Sequence, residues 1–79
     1  MSNKAKYDQI FLDTFEIAAE QLDEHLSYQS IDSWDSVGHM SLIAALEDEF
    51  GVVFEMDDII DFGTYFTGFE TMRKYGIEM

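Results

Sequence analysis

Apolar side chains recur at three- and four-residue intervals along most of this chain, and that regularity restricts it to amphipathic helices packed on one another. In the first segment Tyr7, Ile10, Phe11, Phe15, Ala18 and Leu22 keep the period, while Asp8, Asp13, Glu16, Glu20 and Asp23 fall mainly between them. The spacing predicts a helix from Lys4 to Asp23, capped by Ser2 or Asn3. The period fails from Glu24 to Ser33, where Leu26, Tyr28 and Ile31 stand isolated among polar residues. A long loop held by a few apolar anchors is expected there. Helix resumes after Asp35, a good N-cap, and stops at Gly51, a good C-terminal residue. Val37, Met40, Ile43, Leu46 and Phe50 mark its apolar stripe, widened by Leu42 and Ala45.

Val52 to Phe54 read as extended, and Met56 to Asp61 as a short helix presenting Ile59 and Ile60. A last helix falls within Thr64 to Tyr75. Two starts compete for it, Thr64 as a cap or Thr67 with Glu70 as a capping box. Phe66, Phe69 and Met72 share a buried face under either. The expected fold is therefore all-α, three main helices plus a short third helix and a long first loop, in a single domain over residues 1–79.

No cysteine is present among the 79 residues, so a disulfide framework and thiolate metal sites are excluded. Any thiol chemistry must use a sulfur brought from outside. Seventeen acidic residues against four basic ones give a net charge of -13. That field repels nucleic acid and anionic lipid and attracts basic protein surfaces. The longest strictly apolar run, Leu42 to Leu46, is far below the roughly 20 residues of a membrane span. Met1 to Lys6 lead into a polar, acid-containing stretch instead of the apolar core of a secretory signal. The chain reads as a cytoplasmic, soluble monomer with no metal site.

The segment that carries chemistry is Trp34-Asp35-Ser36-Val37-Gly38-His39-Met40, followed by Leu46-Glu47-Asp48-Glu49-Phe50-Gly51. A serine here follows an aspartate at the first turn of a helix. Unpaired backbone amides and the positive end of the helix dipole favour an anion at such a place, as a phosphodiester would be. Asp35-Ser36-Val37 resembles the Asp-Ser-Leu motif of acyl and peptidyl carrier proteins, with valine in place of leucine. The likeness continues through Leu-Glu-Asp-Glu-Phe-Gly at the end of the second helix, the extended Val52 to Phe54, the acid-rich short helix and the closing helix, so it covers about the whole chain.

The resemblance implies a four-helix bundle of the acyl carrier type. It also implies that Ser36 receives 4'-phosphopantetheine from coenzyme A, added by a magnesium-dependent phosphopantetheinyl transferase, and that the arm's thiol carries acyl groups as thioesters between enzymes with basic docking surfaces. On this reading the chain is no enzyme. Asp35 flanks the attachment point, Val37 is an exposed apolar contact beside the arm, Met40 lines the nearby helix face, and Glu47 and Asp48 bind partners. Fatty-acid carriers usually bear further acids two and five residues after the serine, where this chain has Gly38 and Ser41. The glycine pair common before the serine dipeptide of peptidyl carriers is also missing. The wording is closer to stand-alone carriers of specialised pathways such as polysaccharide or natural-product assembly.

Competing readings exist for each residue. Serine is common at helix N-termini for capping alone, but with the surrounding pattern attachment is preferred at Ser36. Trp34 reads as a loop anchor, His39 as a surface histidine without a role in preference to a phosphodiester contact, and His25 has no evident partner. A calcium loop around Gly63 fails on register, since Ile60, Phe62 and Phe69 would occupy ligand positions. The alternative from another class is an unmodified acidic helical interaction module.

Overall fold

A computed structural model describes residues 2–79, and among them the chain forms four α-helices: α1 Asn3–Phe15, α2 Ser36–Phe50, α3 Met56–Asp61 and α4 Tyr65–Lys74. The order, with a short third helix before the last, is the one the periodicity predicts. The Ser2 hydroxyl accepts from the Ala5 amide at 3.1 Å and so caps α1. The other end of α1 differs from expectation, stopping at Phe15 well short of Asp23. Glu16 adopts a left-handed conformation (φ 55°, ψ 49°) and Ala18 is extended, after which Ala19–Gln21 make a 3-10 turn. The freed carbonyl of Phe15 accepts from the Ser33 hydroxyl at 3.1 Å, and the Gln21 side chain accepts from the Ala18 amide at 3.1 Å. Ile17 and Leu22 still pack on the core, but Ala18 is exposed. The helical period therefore ran on past the helix because the non-α segment that follows places Ile17 and Leu22 against the same core.

The long connection to α2 is secured by backbone pairing with the link between α3 and α4. Tyr28 N–H donates to the Gly63 carbonyl at 2.8 Å, and Tyr65 N–H donates to the Leu26 carbonyl at 2.9 Å. Ser27 and Thr64 form an isolated antiparallel bridge. Leu26 and Trp34 are the buried anchors of this loop.

Thr64 settles the start of α4. Its hydroxyl accepts from the Thr67 amide at 2.9 Å while the Thr67 hydroxyl accepts from the Thr64 amide at 3.0 Å. Thr67 thus completes the box that Thr64 begins, and Glu70 has no part in it. The buried face of α4 is Tyr65, Gly68 and Met72, flanked by Phe69, whereas Phe66 is 48% exposed. This corrects the expected face: Tyr65, Gly68 and Met72 make the inward stripe with Phe69 beside it, and Phe66, on the far side of Tyr65, is left outside.

The core is aromatic and joins the loop to all three long helices. Phe15 stacks on Trp34 with ring centroids 5.1 Å apart, and Phe11 meets Trp34 edge-on at 5.6 Å. Aromatic pairs of this kind add about 0.5–1.5 kcal/mol beyond area burial. The Tyr7 hydroxyl donates to the Tyr65 carbonyl at 2.7 Å, so the buried phenol is satisfied. Asp8 accepts from both Lys4 and the Tyr65 hydroxyl, and burial, reinforced by Asp8, pushes the Tyr65 phenol up to about 12. At the opposite end of α4, Asp58 accepts from Lys74 at 2.8 Å and from the Tyr75 hydroxyl. The bonds from Lys74 and then Tyr75 hold the Asp58 carboxyl below its ordinary value.

Candidate functional site

Asp35 sits in extended conformation as the N-cap of α2, and its Oδ1 accepts from the Gly38 amide at 2.8 Å. Its carbonyl accepts from the His39 amide at 2.7 Å, the first hydrogen bond of the helix. The amides of Ser36 and Val37 have no partner among the described residues, which leaves donors beside the Ser36 hydroxyl. Ser36 is the first residue of α2 and is exposed, and no hydrogen bond engages its hydroxyl among the described residues. It is presented outward with no base to activate it.

The position of Ser36 is fixed from both sides. Trp34 is fully buried, and Gly38 lies against the preceding loop so closely that a Cβ there would stand 1.9 Å from the Ser33 carbonyl oxygen and 3.3 Å from the Phe15 ring. Gly38 is consequently a contact between loop and helix, and the missing acid at this position has a packing cause. Ser41, one turn on, is exposed.

Val37, Ser41, Ala44 and Asp48 form the outward stripe of α2, all exposed at intervals of three and four residues. Val37 is 74% exposed. The apolar stripe expected along the whole helix thus divides, with Leu42, Ile43 and Leu46 buried and Val37 and Met40 left outside. Glu47 stands at the edge of the outward stripe, half-buried, with Oε2 accepting from the Phe54 amide at 2.8 Å. That bond accounts for one acid in a last turn where the helix dipole disfavours negative charge. Among the described residues the Asp48 carboxylate has no hydrogen-bond or ion-pair partner.

Met40 turns toward α3 and, with Ser36 and His39, lines one wall of an apolar groove of about 430 Å³ that is open to solvent. The opposite wall is Met56, Ile59 and Ile60 of α3, with Phe62 beyond them. This volume lies within the roughly 300–1,000 Å³ of small-molecule sites. Sequence reasoning named Met40 but missed Met56 and Ile60 as its neighbours. Their signal was present as apolar residues in an otherwise acidic short helix.

His39 is not the idle surface residue expected. Its Nδ1 lies 3.0 Å from Trp34 Nε1, and its Nε2 lies 2.8 Å from the Ile59 carbonyl oxygen. An indole nitrogen only donates, so Nδ1 accepts and Nε2 carries the proton to Ile59. One neutral imidazole therefore ties the loop and α2 to α3, and it satisfies the Trp34 N–H that burial would otherwise leave unpaired.

An exposed, unactivated serine at a capped helix N-terminus, set beside an apolar groove in a small acidic bundle, defines a domain that receives a group and presents it. The family model for the phosphopantetheine attachment site matches residues 8–65, and the chain belongs to this family of carrier proteins. Searches of curated proteins and of solved structures gave no match. The protein is accordingly a non-catalytic carrier bearing a covalent 4'-phosphopantetheine group, modified by a phosphopantetheinyl transferase and acting with partner enzymes. The residues at the head of α2 fit such a group, since free amides and the positive end of the helix dipole would favour a phosphodiester held there. No helix of the described residues is long and apolar enough to cross a membrane.

Proposed function

We propose that Ser36 is the attachment point and that the chain is a single acyl carrier domain of the cytoplasm, monomeric, serving a specialised pathway. The observation that carries this reading is the exposed Ser36 hydroxyl at the capped start of α2, inside the matched region 8–65. When bound, the prosthetic group supplies a thiol that holds acyl cargo as a thioester. The chain's own residues present the hydroxyl, stabilise the negative charge next to it and offer a docking face. Asp35 holds the helix start, Val37 and Asp48 form the outward stripe, Glu47 adds charge at its edge, and Met40 borders the path of the arm. Fatty-acid carriers differ at Gly38 and Ser41, which favours partners that read an apolar stripe with acids at its far end.

The test is mass spectrometry after incubation with coenzyme A, magnesium and a broad-specificity transferase. Wild type gains one phosphopantetheine and Ser36→Ala gains none. An adduct that persists in Ser36→Ala moves the site elsewhere. Failure of several transferases on wild type favours the unmodified interaction module.

A further inference from the structure

The groove beside Ser36 has a floor, and its composition decides where a carried group can go. Behind His39 lies Trp34, with Phe15 stacked on it and Phe11 edge-on to both, at the centre of the aromatic core. The His39 ring is nearly parallel to Trp34, at 14° and 6.2 Å, and meets Phe62 edge-on at 6.3 Å. To pass from the groove into the core, a chain would have to part α2 from α3. At that point the two helices are joined by the bond from His39 Nε2 to the Ile59 carbonyl, one of the last carbonyls of α3 and outside its internal hydrogen bonding. Displacing His39 also strips the buried Trp34 N–H of its acceptor, so two bonds fail together and two polar groups are left unpaired.

We infer that His39 is a specificity-determining residue that bars the cargo from the bundle interior and confines it to the groove between α2 and α3. The inference rests on attachment at Ser36. The cargo favoured by such a carrier is a short or polar-ended acyl group whose distal part stays in reach of solvent and of a partner enzyme. A long aliphatic tail would overrun the groove with nowhere dry to go. Tethering at Ser36, itself part of the groove wall, keeps the near end of any cargo at high local concentration there.

The experiment loads the intact protein, using a transferase and hydrolysis-stable coenzyme A analogues that carry amide-linked hexanoyl or tetradecanoyl chains. Mass spectrometry of wild type and Ser36→Ala first tests the attachment itself, independently of where the cargo lies. Methyl NMR then compares the groove, through Met40, Met56 and Ile60, with the core, through Leu42, Leu46 and Met72. In wild type both chains should shift the groove methyls and leave the core methyls in place. In His39→Ala the tetradecanoyl chain should shift the core methyls several-fold more than in wild type, while the hexanoyl chain should not.

His39→Leu, which fills the same space without either hydrogen bond, serves as a second variant should the alanine form fail to fold. Core methyls that move in loaded wild type overturn the inference. So does a folded His39 variant whose core stays as undisturbed by the long chain as that of wild type. If neither variant folds, undisturbed core methyls in loaded wild type support exclusion from the interior.

Discussion

Replacing Gly38 by alanine sets helix propensity against packing at the one place where the loop touches the start of α2. Alanine in a helix interior is favoured over glycine by about 0.8–1.0 kcal/mol. Against that, the new Cβ would stand 1.9 Å from a backbone oxygen, so the Ser33 carbonyl must retreat by about an ångström to reach the 3.0 Å limit of real contacts. Overpacking of this kind costs about 1–3 kcal/mol. The retreat also draws the Ser33 hydroxyl away from the Phe15 carbonyl, a bond worth about 0.5–1.5 kcal/mol. Packing wins, and Gly38→Ala is expected to destabilise by about 2 kcal/mol. Urea unfolding measures it: with a slope of about 1 kcal/mol per molar, at the low end for small domains, the midpoint falls by about 2 M at unchanged slope. Ser41→Ala, one turn further on and exposed, is the control and should stay within about 0.5 kcal/mol of wild type. A Gly38→Ala protein as stable as wild type would show that the loop yields freely and that glycine is not required there.

Glu47→Ala should destabilise by about 1 kcal/mol in the same assay through loss of the Phe54 amide bond, while Glu47→Gln, which keeps an acceptor, stays near wild type. Because Asp58 has its carboxyl lowered in the folded state, its stabilisation is present above the unfolded value of about 3.9 and is lost as pH falls through the folded one. Melting temperature should therefore drop on acidification below about pH 4, and Asp58→Asn should flatten that limb. Tyr65 has the opposite sign: with its phenol raised to about 12, stability holds below pH 10 and declines as pH climbs from there, less steeply in Tyr65→Phe. For partner recognition, Val37→Ala should lower the rate of loading by the cognate enzyme about tenfold, since a fully buried valine contributes about 1.5 kcal/mol or more. Asp48→Lys should lower it less, and Ser41→Glu, not a change at Gly38, tests the uncharged middle of α2. Loading that survives Val37→Ala but not Ser41→Glu would place the recognised surface at that middle.

Most of the helical order was legible because the apolar period marks each helix and, along α2, the caps agree with it, Asp35 and Gly51 behaving as their residue types suggest. The end of α1 was not, because Ile17 and Leu22, on either side of an extended Ala18 and a 3-10 turn, still reach the core and mimic a continuing helix. Caps made of two threonines escaped for a related reason: Thr64 and Thr67 each looked like a start, and only their mutual hydrogen bonds assign the roles. Asp35 could be picked out as an N-cap by its residue type, and Ser36 was singled out through the likeness of its surrounding motif to carrier proteins. His39 could not, since its partners are a side chain five residues back and a carbonyl twenty residues ahead, and neither separation leaves a pattern in the sequence. Gly38 read as a missing charge because a close approach by Ser33 leaves no trace except the glycine itself.

The residues two before and two after Ser36, a fully buried tryptophan and a glycine wedged against the loop, make the serine a stationary pivot on an otherwise outward-facing helix end. A flexible arm hung from a fixed pivot has its reach bounded by its own length. With the arm on Ser36, as proposed, an enzyme docking against Val37 and Asp48 would meet the thiol within a depth bounded by the arm, with little added by motion of its base. Loosening the pivot would blur that depth for every partner at once, however well each still bound the outer stripe.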